Sequence, residues 1–82
     1  MNVEEIKNTI RSIFHETAPE IEFDKIQMNR PLRDQVEIDS FDFYRMMVKI
    51  NQETGVFIPD SEFARFSNLQ DLMNYLNEHQ KS

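Results

Sequence analysis

Eighty-two residues make one small domain, near the lower limit at which a hydrophobic core sustains a fold unaided, so residues 1–82 are read as a single unit. The chain is 39% hydrophobic and 29% charged, the composition of a globular protein and not of a disordered one. A formal charge of −6 argues against nucleic-acid binding, and zero cysteine excludes disulfides and thiolate zinc sites.

No apolar run approaches the ~18 residues needed to cross a bilayer, so membrane insertion is not expected. His15 and His79 stand isolated, so no metal site is expected either. The N-terminus lacks the basic and apolar regions of a signal peptide, and a cytoplasmic location is the expectation. The negative charge suits a soluble monomer steered toward basic partner surfaces. Stability has to come from packing alone, which favours an economical helical bundle.

The first segment, about Asn2 to Glu16, is predicted to be a helix. Val3, Ile6, Ile10, Ile13 and Phe14 recur at three- and four-residue spacing and so share a face. Asn2 can cap it, Glu4 and Glu5 suit the positive end of its dipole, and Pro19 stops it. Thr17 to Ile38 shows no helical period. Ile21, Phe23 and Ile26 alternate loosely with charges, which allows a short strand without an obvious partner. A loop this long inside a compact domain counts against the assignment unless it is functional, and its apolar residues predict that it packs over the helices.

The second helix is predicted from Ser40 to Gln52 or Glu53, with Asp39 and Ser40 both strong cap types. Phe43, Met46, Met47 and Ile50 form one apolar stripe, and Ser40, Tyr44 and Val48 follow a second at i, i+4, i+8. Two stripes mean either a central helix or an apolar surface kept for a partner. Gly55, the only glycine, stands where a positive φ is wanted after a helix. Pro59 with Asp60, Ser61 and Glu62 predicts a short helix ending near Phe66. Ser67 and Gln70 match a capping box for a last helix over about 68–78, with Leu69, Leu72, Met73 and Leu76 on one face. The predicted fold is all-α: three main helices, a short third one, and a long first loop.

Little in the chain supports catalysis. Ser40 has no G-x-S-x-G elbow around it, and neither histidine is near it in sequence, which disfavours a hydrolase. No stretch matches the D-x-[DN]-x-[DN]-G calcium loop.

One ordering of features does carry meaning. Asp39-Ser40-Phe41 opens the second main helix, Ile58-Pro59-Asp60 leads into the short helix, and a closing helix runs to about His79. In this order, and over nearly the whole chain, the sequence resembles the acyl carrier proteins, whose D-S-L motif Asp39-Ser40-Phe41 matches. The resemblance implies a four-helix carrier bundle and not an enzyme. It implies that a phosphopantetheinyl transferase loads Ser40 with 4'-phosphopantetheine from coenzyme A, with Asp39 recognised by that transferase. The arm's thiol then holds acyl groups as thioesters, delivered by an acyl-loading ligase and passed to acyl transferase or synthase enzymes. Phe41, Tyr44, Arg45, Val48 and Lys49 fall at the family's partner-contact positions or beside them. Met28, Met46, Met47 and Met73, if they share one interior, would make it adaptable enough to shelter an acyl chain.

The chain also departs from the family pattern. Gln35-Val36-Glu37 replaces a common Asp-Leu-Gly, removing a glycine's backbone freedom just before Ser40. Phe41 replaces leucine. Phe41 to Gln52 carries a net charge of +1, where fatty-acid carriers are acidic. These departures point to a specialised lipid, polyketide or lipopolysaccharide-type pathway. An aminoacyl or peptidyl carrier and an unmodified helical interaction module are the alternatives.

Overall fold

Three α-helices form where the apolar spacing predicts them in the computed structural model, which describes residues 2–59, 61–62 and 66–80. They are α1 (Val3–Thr17), α2 (Ser40–Thr54) and α3 (Leu69–His79). No strand occurs among the described residues, and no helix there is long and apolar enough to cross a membrane. The fold is all-α, with two short 3-10 turns, Phe23–Lys25 and Leu32–Asp34, inside the long first loop. The short helix expected from Pro59 to Phe66 falls largely outside the described residues, which omit Asp60 and 63–65. Ser61 and Glu62 lie in a 3-10 turn whose Glu62 N–H donates to the Pro59 carbonyl at 2.9 Å.

Each helix begins on a side-chain cap. Asn2 Oδ1 accepts from the Glu5 N–H at 2.8 Å, and Glu5 Oε1 accepts from the Asn2 N–H at 3.3 Å, a reciprocal box. At the other end of α1 the Ala18 N–H donates to the Phe14 carbonyl, and Pro19 follows. For α2 the cap is Asp39, not Ser40: Asp39 Oδ1 accepts from the Asp42 N–H at 2.8 Å, and Ser40 is the first helical residue. Gly55 closes α2 at φ +74°, a left-handed conformation that side chains disfavour.

The predicted cap of the last helix is wrong by one residue. Asn68, not Ser67, caps α3, its Oδ1 accepting from the Asp71 N–H at 2.8 Å. The reason is tertiary. The Gln70 N–H that a Ser67 box would use donates instead to the Met28 carbonyl at 2.9 Å, and the Ser67 carbonyl accepts from the Leu32 N–H at 2.8 Å. These two bonds fasten the long loop to the start of α3.

Ile6, Ile10, Ile13 and Phe14 of α1 meet Met46, Met47 and Ile50 of α2 and Leu69, Leu72, Met73 and Leu76 of α3 in one core. Val3, on the predicted apolar face of α1, is exposed in the first turn. The loop adds Phe23, Ile26 and Leu32 to the core, with Ile21, Met28 and Val36 partly buried against it. The strand considered for Ile21 to Ile26 is therefore a 3-10 turn that inserts Phe23 edge-on against Phe14, ring centroids 5.4 Å apart. Arg11 holds that turn from outside. Its guanidinium lies 5.5 Å from the centre of the Phe23 ring and pairs with Asp24 at 2.9 Å.

Candidate functional site

At the start of α2 the chain leaves the loop in an extended conformation, with Asp39 at φ −77° and ψ 166°, and enters the helix at Ser40. A helix N-terminus has four amide N–H groups without intrahelical acceptors. Here the Asp42 N–H is taken by the Asp39 carboxylate, and the first i→i−4 bond of the helix runs from the Phe43 N–H to the Asp39 carbonyl at 3.0 Å. The N–H groups of Ser40 and Phe41 have no protein acceptor among the described residues. Ser40 is itself exposed. An exposed hydroxyl thus sits beside two unmatched donors at the positive end of a fifteen-residue helix, a donor set that fits a phosphodiester.

The second stripe of α2 faces outward. Ser40 is exposed, as are Tyr44 at 48% and Val48 at 39%, and Phe41 beside the stripe is 70% exposed, while Met46, Met47 and Ile50 take the inner face. The two cations on this helix are engaged. Arg45 lies 3.6 Å from the Asp42 carboxylate with its guanidinium 6.0 Å from the centre of the Phe41 ring, and Lys49 pairs with Glu16 of α1 at 2.9 Å. Ser40, Phe41, Tyr44, Arg45, Val48 and Lys49 therefore all lie on or beside one solvent-facing side of α2. No group of three or more His, Asp or Glu side chains able to hold a metal ion occurs among the described residues.

Sequence reasoning missed Gln35. Its Oε1 accepts from the Gln27 N–H at 2.7 Å, and its Nε2 reaches the carbonyls of Gln27 at 2.9 Å, Arg30 at 3.1 Å and Pro31 at 3.4 Å. One amide side chain thus closes the loop from 27 to 35, five residues before Ser40. Only its polarity at an otherwise unexplained position hinted at this. Glu37 passes the expected glycine position without a positive φ, since no non-glycine residue among those described adopts one. The chain therefore passes this position without left-handed backbone strain.

Comparison with known proteins bears on this geometry. The family profile for the phosphopantetheine attachment site matches residues 4–76, which bracket Ser40. An acyl carrier protein of Lactobacillus acidophilus is 29% identical over 80 residues, covering 98% of this chain and 99% of its own. One from Chloroherpeton thalassium is 28% identical over 81 residues, 99% of this chain and 100% of its own. One from Zymomonas mobilis is 30% identical over 59 residues, 72% of this chain and 76% of its own.

Proposed function

The chain belongs to the phosphopantetheine-attachment family of acyl carrier proteins, and from that premise we propose that Ser40 bears the covalent 4'-phosphopantetheine arm. A single observation carries the assignment: the serine of Asp39-Ser40-Phe41 is exposed at the first position of α2 beside two amide N–H groups without acceptors among the described residues. The bound arm supplies a thiol that holds acyl groups as thioesters, and it is the sole thiol on a chain without cysteine.

In the loading step the Ser40 hydroxyl oxygen forms the new bond to phosphorus. The bond to adenosine 3',5'-bisphosphate of coenzyme A breaks, and the hydroxyl proton passes to a base of the transferase. The Ser40 and Phe41 amides face the resulting anionic ester and favour it through the helix dipole. Asp39 caps with one carboxylate oxygen and offers the other to magnesium or a basic group on the transferase.

The docking side for loading ligases and acyl transferases or synthases is Phe41, Tyr44, Arg45, Val48 and Lys49. The charge of Phe41 to Gln52, net +1, supports partners other than those of general fatty-acid synthesis, in a specialised lipid, polyketide or lipopolysaccharide-type pathway. With Arg45 and Lys49 each near a carboxylate, the exposed apolar side chains dominate what a partner meets.

Intact-mass spectrometry after incubation with a promiscuous phosphopantetheinyl transferase, coenzyme A and magnesium tests the attachment. The chain gains one phosphopantetheine increment and Ser40→Ala gains none. An increment on Ser40→Ala would move the site elsewhere.

A further inference from the structure

An open hollow of about 510 Å³ is lined by residues from two segments of the first loop, 20–26 and 35–37, the second ending at Glu37, three residues before Ser40. Its floor is apolar, made by Ile21, Ile26 and Val36, and the exposed carboxylates of Glu20 and Glu37 stand on its rim. We propose that this hollow is the resting site of the pantetheine arm, receiving its uncharged amide portion when the thiol is not engaged by a partner. The proposal rests on attachment at Ser40.

Four observations support it. The volume lies within the roughly 300–1,000 Å³ typical of small-molecule sites. Glu37 on the rim is three residues from Ser40, so the chain holds them within about 11 Å of each other. The chemistry matches the arm, whose geminal methyl groups suit the isoleucine and valine floor while its hydroxyl and amide N–H groups need acceptors. Neither the Glu20 nor the Glu37 side chain has a hydrogen-bond or ion-pair partner among the described residues, and Lys25 on the same rim is taken by Glu22 at 3.0 Å. Both free carboxylates are therefore open to those donors.

The wall of the hollow is also prepared in advance. Gln35 lines it while its amide closes the 27–35 loop, and the bonds from Leu32 to Ser67 and from Gln70 to Met28 tie that loop to α3. A hollow held open in this way costs little ordering when the arm settles in it. The acidic rim repels the phosphate, so the ester stays at the helix start and only the neutral part of the arm turns inward.

The absence of cysteine makes a direct test available. The holo protein is labelled at the arm's thiol with a nitroxide maleimide, and paramagnetic broadening of backbone amides is read by NMR, with intact mass reporting the attachment separately. The amides of Ile21, Ile26 and Val36 broaden more than those of Tyr44 and Val48. In the Glu20→Ala/Glu37→Ala variant, which removes the rim acceptors from exposed positions, that broadening falls about two- to fivefold. Broadening centred on Tyr44 and Val48, or unchanged in the double variant, overturns the resting site while leaving the attachment intact. Absence of the mass increment overturns the attachment, and this proposal with it.

Discussion

Asp39 caps α2 and is proposed to meet the transferase, and a pair of substitutions separates the two roles. Asp39→Ala removes the oxygen that accepts from the Asp42 N–H at 2.8 Å. Loss of a cap of this kind costs about 1 kcal/mol, within a range of about 0.5–2. The site is exposed, so water can reach the freed N–H, which keeps the cost near the middle of that range and not at its upper end. For a domain of this size that is a fall in Tm of about 4–8 °C. Asp39→Asn retains a cap oxygen of nearly equal quality but loses the charge, so its Tm stays within about 2 °C of the parent. Thermal denaturation by circular dichroism and transferase kinetics by intact mass are measured on the same three proteins. If the carboxylate contacts the transferase or its magnesium, Asp39→Asn loses about tenfold or more in kcat/KM with its stability intact. An Asp39→Ala protein as stable as the parent refutes the capping argument. An Asp39→Asn protein loaded at the parent rate refutes the recognition argument and leaves Asp39 as a cap alone.

Three further outcomes follow from the packing. Ile10 is 0% exposed at the centre of the core, and Ile10→Ala costs about 2–5 kcal/mol in urea unfolding, a large share of the roughly 4–12 kcal/mol expected for a chain of this length. Gln35→Ala removes the closure of the 27–35 loop and costs about 1–2 kcal/mol, with amide exchange at Gln27 about tenfold faster because its N–H loses the Gln35 acceptor. Gly55→Ala meets no atom within 4 Å of the added carbon, so its cost of about 1 kcal/mol is purely the left-handed backbone and shows as a lower Tm. A Gly55→Ala protein with unchanged Tm would mean that the α2 terminus relaxes to another conformation.

The helices were legible because their signals are local. Apolar residues at three- and four-residue spacing located all three, and Asn2, Asp39, Pro19 and Gly55 set ends that a turn-by-turn reading recovers. The errors fall where a residue's local preference competes with a distant partner. Ser67 and Asn68 are equally good caps in isolation, and the loop's claim on the Ser67 carbonyl and the Gln70 N–H decides between them. Ile21 to Ile26 alternates like a strand, yet with no edge to pair with it folds into a turn that delivers Phe23 to the core.

The candidate site divides along the same line. Sequence by itself determined the family and the helix that starts at Ser40, and it singled out Ser40 as the expected attachment point, because a motif and a helix start are properties of neighbouring residues. It left undecided whether the second apolar stripe on α2 is buried as well or kept for a partner, since both stripes have helical spacing. Only the tertiary structure decided that Met46, Met47 and Ile50 face α1 and α3 while Phe41, Tyr44 and Val48 face water. The same holds for Gln35, whose bonds span up to eight residues, and for the pairing of Lys49 with Glu16 across 33 residues. Periodicity reports that a face exists. Which neighbour covers it, and which polar groups meet there, is settled only when separate segments of the chain compete for the same surface and the same hydrogen-bonding groups.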